Sequence, residues 1–150
     1  TVDGSSVNTP MNVIAPIGAS LNDLFEYCGG LTEQPAKYVY GGPMMGITLA
    51  TTSVPLVKNN NGILAFTEKG CALDEPMPCV RCGKCLMHCP MGLSPVALAQ
   101  AAAAKDTDAL MKLDLLSCME CGCCSFTCPS SRPLVQSMRV GKALLRAKKK

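Results

Sequence analysis

Tryptophan is absent from this chain, and aromatic residues of all kinds make up only 4% of it. Large aromatic anchors therefore do not carry its core. Histidine occurs once, as His88. There is no Ser–His–Asp set, no carboxylate pair beside a histidine and no phosphate-cradling glycine loop, so no catalytic constellation emerges. Charged residues are few, 17% against 48% apolar, which is the balance of a folded chain. The 150 residues suffice for one ordinary domain or two small ones. No apolar run approaches bilayer length, and the best, Val96 to Ala104, is broken by Gln100. A protein of this kind has no transmembrane segment of its own and would sit at a membrane only through partners. No signal-peptide pattern is present. An initiator Met is also missing, and Thr1 falls in what reads as a strand, so an excised fragment lacking its N-terminal neighbour is expected.

Cysteine, by contrast, occurs eleven times. Cys79-x2-Cys82-x2-Cys85-x3-Cys89-Pro90 is followed by Cys118-x2-Cys121-x2-Cys124-x3-Cys128-Pro129. Each run has the ligand spacing of bacterial two-cluster iron–sulfur proteins. Three thiolates at two-residue intervals let one loop wrap three corners of a cubane. The fourth, set back and followed by Pro, points away and reaches the other cluster. The pattern predicts two 4Fe–4S clusters held crosswise. Cys79, Cys82, Cys85 and Cys128 hold the first, and Cys118, Cys121, Cys124 and Cys89 the second. A structural zinc site also takes four thiolates, but usually as two separated pairs. Disulfides fit poorly, because the cysteine number is odd and the sulfur crowds two loops. The chemistry this supports is one-electron transfer.

The formal charge of +3 counts thiols as neutral. Each oxidised cubane with four thiolates carries about −2, which brings the loaded chain to about −1. A nucleic-acid partner is therefore not expected from the isoelectric point.

Residues 1 to about 70 read as short extended segments around one helix. Met11 to Pro16, Tyr38 to Tyr40, Val54 to Val57 and Ile63 to Phe66 are the strand candidates. Ser20 caps a helix with Asp23 in its first turn and Leu21, Leu24, Phe25 and Cys28 on one apolar stripe. Gly29-Gly30 ends it. Asn59-Asn60-Asn61-Gly62 is a turn. Gly41-Gly42-Pro43-Met44-Met45-Gly46 interrupts the sheet, as a tight corner or as a close-approach surface for a partner or flavin. One helix on a small mixed sheet makes a β-grasp-like α+β unit.

The part after Glu68 has a different character, and no strand pattern appears between the two Cys runs. Ser94-Pro95 opens an Ala-rich helix running to about Lys105, and Asp106 or Thr107 caps another carrying Leu110, Met111, Leu113 and Leu116. A third opens near Pro133 with Leu134, Met138, Gly141 and Leu145 on one side. Its other side, Arg139, Lys142, Arg146 and Lys148 to Lys150, reads as a solvated basic face. The fold class is thus α+β: a β-grasp domain over residues 1–70, then an all-helical ferredoxin-type domain over 71–150. Cys28, Cys71 and Cys123 fall outside the ligand scheme, and His88 reads as a loop residue. Two further expectations follow. Arg81 and Lys84 in the first loop, against Glu120 in the second, predict the higher reduction potential for the first cluster. Metal binding is expected to supply much of the folding free energy beyond Cys79.

The Gly41–Gly46 motif, Val54-Pro55-Leu56-Val57-Lys58, Asn61-Gly62-Ile63-Leu64 and the two Cys runs together resemble the C subunit of the Rnf ion-translocating oxidoreductase complex. The resemblance covers nearly the whole chain. It implies a soluble-ligand-binding β-grasp domain followed by a two-cluster ferredoxin domain. It implies FMN and NADH only in a preceding domain that has no match here. It further implies a peripheral position on the cytoplasmic face of the bacterial inner membrane. The partners implied are the other subunits of a membrane-bound electron-transport complex and ferredoxin-like redox proteins, in a translocase that couples ferredoxin–NAD electron transfer to ion movement. Cobalamin reductase of propanediol-degrading microcompartments shares this layout and is the rival resemblance; a zinc-bearing interaction module is the third alternative.

Overall fold

A computed structural model describes residues 1–72 and 74–148 of the chain, which divides into two units, Thr1–Leu73 and Asp74–Lys150. Among the described residues the first is a mixed four-stranded sheet with one α-helix and a 3-10 turn at Lys69–Cys71. Strands β1 (Val2–Asp3), β2 (Lys37–Tyr40), β3 (Ile47–Leu49) and β4 (Ile63–Phe66) lie in the order β1-β4-β2-β3. The β1–β4 pair is parallel, with Val2 opposite Ile63, and the other two pairs are antiparallel. Helix α1 (Leu21–Tyr27) starts where Ser20 Oγ accepts the Asn22 amide at 3.2 Å. It ends at Gly29 and Gly30, both left-handed, with φ of 81° and 80°. Its apolar stripe behaves as the spacing predicts: Leu21, Leu24, Phe25 and Cys28 are buried with Val2, Val7, Ile63 and Ala65. Phe25 also meets the Tyr38 ring, with centroids 5.7 Å apart.

Three expectations for this unit change. Met11 to Pro16 is not a strand; Met11 makes a single bridge with Val2, and Ile14 beyond it is fully exposed. Val54 to Val57 likewise contributes only one bridge, Ser20 with Pro55, because a proline has no amide to extend a ladder. The third antiparallel strand is Ile47–Leu49 instead. The Gly41–Gly46 motif is the hairpin that delivers it, pairing Tyr40 with Ile47 and closed by Gly46 N–H donating to Gly42 O at 2.8 Å. A β-carbon on Gly46 would lie 2.6 Å from Val39 Cγ1, so the corner admits only glycine there.

In the second unit every regular element among the described residues is helical: α2 (Lys84–Met87), α3 (Pro95–Ala103), α4 (Thr107–Lys112), α5 (Cys123–Phe126) and α6 (Leu134–Lys148), with a 3-10 turn at Leu115–Ser117. Pro95 opens α3 as expected, although the Ser94 side chain makes no capping bond. Asp106 does cap α4, its Oδ1 accepting the Asp108 and Ala109 amides at 3.1 and 2.9 Å. Helices α3, α4 and α6 enclose a core of Leu98, Leu110, Leu115, Leu134, Met138 and Leu145. Met111 and Leu116 of the same apolar run are about half exposed. The chain breaks at Asp114, φ 54°, and the changed phase turns Leu115 inward in their place. Gly141 lets α6 approach this residue closely; a β-carbon there would stand 2.8 Å from Leu115 Cδ2. On the basic side of α6, Lys148 is exposed as expected, while Lys142 is enclosed. Lys148 bonds Asp108 at 2.8 Å and holds its carboxyl below the usual range. Lys149 and Lys150 lie outside the described residues.

Two outcomes test this packing. Gly4 sits at φ 122°, and a β-carbon would overlap the Ala65 carbonyl on β4. Gly4→Ala should therefore destabilise the first unit by about 1–3 kcal/mol. Urea unfolding followed by tyrosine fluorescence reads this unit alone, since Tyr27, Tyr38 and Tyr40 are the chain's three tyrosines; an unchanged midpoint contradicts the geometry. The apolar core of the second unit also narrows the expectation about metal-dependent folding. Hydrogen exchange on iron-free protein should show protected amides in α3 and α6 and fast exchange at 79–92 and 118–131. Equal protection in helices and cysteine loops would contradict it.

Candidate iron–sulfur sites

Both cysteine loops are bent by the same succession of backbone turns. Arg81 and Glu120, each just before the second cysteine, have φ of 56° and 57°. Gly83 and Gly122, each just after it, have φ of 75° and 84°. Left-handed residues placed on either side of a cysteine curl the chain tightly. One helical turn follows in each case. It carries the third cysteine, Cys85 in α2 and Cys124 in α5, and stops before the fourth. Gly92 and Ser131, at φ 64° and 47°, then reverse the chain three residues past Cys89 and Cys128.

The result is two thiol-lined cavities. Cys79, Cys82, Cys85 and Cys128 line one of about 250 Å³, with Arg81 and Arg132 also in its wall. Cys118, Cys121, Cys124 and Cys89 line the other, pinched to about 20 Å³ and walled by Met91, Leu93, Met119 and Met138. Each set-back cysteine thus faces the cavity of the opposite loop. All eleven thiols are free. Among the described residues no three His, Cys, Asp or Glu side chains converge on a point able to hold one metal ion.

Burial pushes the Cys124 thiol up to about 11 and raises Cys85 as well. Burial thus favours the neutral thiol at these two positions, and taking up a metal group there must displace their protons. Leu93 N–H donates to Cys89 Sγ at 3.3 Å, an amide already aimed at one of the sulfurs.

The other candidates find structural partners. Cys28 is fully buried in the first unit's core, and Cys71 Sγ donates to Glu68 O at 3.6 Å. Cys123 opens α5, where the Cys121 thiol beside it raises its pKa; Cys124 lines the cavity. His88 Nδ1 lies 2.9 Å from Lys84 O, at the end of α2.

One residue departs from its expected role. Glu120 is no lone carboxylate: Arg139 Nε stands 3.1 Å from Oε2 and Lys142 Nζ 2.8 Å from Oε1. Lys142 also donates to the Cys118 carbonyl at 2.6 Å. The bond to Lys142, followed by the bond to Arg139, holds the Glu120 carboxyl below its usual range despite partial burial. Both cations come from α6, 19 and 22 residues along the chain, so no local pattern announces the pairing. The expected ordering of the two potentials, which set Glu120 against the cations of the first loop, therefore no longer follows.

Known protein families match a stretch in each of the two units. Residues 1–48 match the SLBB domain family, and residues 78–131 match the 4Fe-4S dicluster domain family. The chain is 41% identical, over 97% of its length, to the C subunit of the ion-translocating oxidoreductase complex of Rhodobacter capsulatus. It is 38% identical over 65% of its length to the C subunit of the proton-translocating ferredoxin:NAD(+) oxidoreductase complex of Clostridium ljungdahlii. It is 35% identical over 95% to the C subunit of the Na(+)-translocating ferredoxin:NAD(+) oxidoreductase complex of Acetobacterium woodii. The chain spans 28%, 21% and 32% of those three proteins, respectively. Over nearly all of its own length, this chain is homologous to one stretch of the C subunit of the ion-translocating, Rnf-type oxidoreductase complexes.

Proposed function

We propose that the chain is the iron–sulfur electron-transfer module of such a complex, one that couples electron transfer between ferredoxin and NAD to ion translocation. Cys79, Cys82, Cys85 and Cys128 hold one 4Fe–4S cluster, and Cys118, Cys121, Cys124 and Cys89 the second. The observation that carries this is the pair of cavities, each lined by three thiols from one loop and the fourth from the other. Zinc fits less well. Structural zinc sites usually take two separated cysteine pairs, whereas each loop here carries three cysteines at two-residue intervals and a fourth followed by proline. When bound, a 4Fe–4S cluster takes up and releases one electron reversibly.

The chain's own residues shield and orient. Met91, Leu93, Met119 and Met138 exclude water on one side of the second cavity, while the exposed Cys82 leaves the first open towards solvent. We assign residues 1–70 to a β-grasp domain and 71–150 to an all-helical two-cluster domain. FMN and NADH, which the resemblance implies, we assign to a preceding domain that this chain does not match. The partners are the other subunits of the complex and ferredoxin-like carriers. Among the described residues no helix is long and apolar enough to cross a membrane. A peripheral position on the cytoplasmic membrane face, reached by docking on such subunits, is part of the proposal.

Crossed ligation is tested by electron paramagnetic resonance on reduced single variants. Cys128→Ala should abolish the same signal as Cys82→Ala, and Cys89→Ala the same signal as Cys121→Ala. Loss of the Cys121 signal on replacing Cys128 would mean that each loop holds its own cluster.

A further inference from the structure

The clamp on Glu120 joins the second cysteine loop to α6. Its three charged groups sum to one positive charge beside the ligand loop: Glu120 lines the cavity, and Arg139 and Lys142 reach it from α6. The Lys142 side chain is the most enclosed of the three, 14% exposed against 31% for Arg139 and 29% for Glu120. Lys142 also touches the backbone of a cysteine that lines the cavity, through the Cys118 carbonyl. Arg81 and Lys84 of the first loop are exposed.

We propose that Lys142, held on the Cys118 carbonyl by Glu120, is the positioning residue that sets the reduction potential of the second site. This rests on the cluster assignment above. Reduction by a one-electron donor, a carrier protein or a chemical reductant, adds one electron to the bound cluster. Its charge, with four thiolates, passes from about −2 to about −3, and no proton or bond need change. A fixed cation nearby lowers the free energy of the reduced form more than that of the oxidised form. Dielectric surroundings decide which cation counts. A charge partly enclosed by protein acts through an effective dielectric of about 20, whereas one in water acts through about 80. At equal distance the enclosed one is thus worth about four times more. Salt screens the exposed pair further. Lys142 is enclosed, and Arg81 and Lys84 are not. Glu120 cancels one of the two cations of α6 and fixes the position of the other. Its carboxylate therefore does not oppose reduction as it would alone. The Leu93 amide also points at a sulfur of this site, but replacing Lys142 leaves that donor in place.

The test is a redox titration, followed by electron paramagnetic resonance, of the anaerobically purified, cluster-loaded chain. Lys142→Met keeps most of the apolar stem and removes the charge. It should shift one signal to lower potential and leave the other in place, and the shifted signal should be the one that Cys121→Ala removes. Lys142→Arg restores the charge and should restore the potential. Arg139→Gln, at the more exposed end of the clamp, should move the same signal downward by less, which keeps the proposal open to refutation if Lys142→Met fails to assemble. Arg81→Gln with Lys84→Gln should leave the second signal unmoved. The proposal is overturned if Lys142→Met moves neither signal, moves both equally, or moves only the one that Cys82→Ala removes. It is also overturned if Lys142→Arg shifts the potential as far as Lys142→Met, since packing and not charge would then be responsible. A wild-type chain with no cluster signal at all would instead refute the cluster assignment, and this inference would fall with it.

Discussion

Neither cysteine loop completes a site by itself. Each curls three thiols around its own cavity and sends the fourth across to the other. This exchange is the constraint on which the second unit depends. It goes with helices α2 and α5 packing against each other. It also explains the Cys-Pro ending of both runs. The proline turns the chain away after the crossing thiol, and a left-handed residue two positions further on completes the reversal.

Around this exchange lies an apolar frame that contains no metal ligand. Leu98, Leu110, Leu115, Leu134, Met138 and Leu145 are buried between α3, α4 and α6, and fully burying each such side chain contributes about 1.5–3 kcal/mol. Cys85, Cys118, Cys124 and Cys128 pack on its edge. The thiols are thus presented by a scaffold that has its own reasons to fold. The Glu120 clamp fastens the second loop to that scaffold through two charged hydrogen bonds and a backbone carbonyl. No equivalent clamp appears among the described residues of the first loop. Two loops with one cysteine spacing therefore have different electrostatic surroundings, which is a route to two different potentials from one repeated motif.

Much of this is legible in the sequence, and the failures share a cause. The eight thiols, the Ser20 and Asp106 caps, the stripe of α1 and the buried side of α6 rest on local spacing, and local spacing predicts them. Strand β3 escapes such a reading because Ile47–Leu49 is short, sits on the sheet edge and follows a glycine-rich corner. Val54 to Val57 has the composition of a strand, yet Pro55 cannot sustain a ladder. Leu115 escapes it because a non-glycine residue, Asp114, turns left-handed and resets the helical phase. Arg81, Glu120 and Ser131 hide the loop geometry in the same way, since nothing in their identity signals a positive φ. The Glu120 clamp joins residues 19 and 22 positions apart and needs the fold to bring them together.

The central claim is that eight thiols hold two multi-iron clusters and not separate single ions. Combined metal and acid-labile sulfide analysis on anaerobically purified protein tests it most directly. About eight iron and eight sulfide per chain, four of each at each site, is the predicted result. One or two zinc ions per chain with no sulfide would contradict the account.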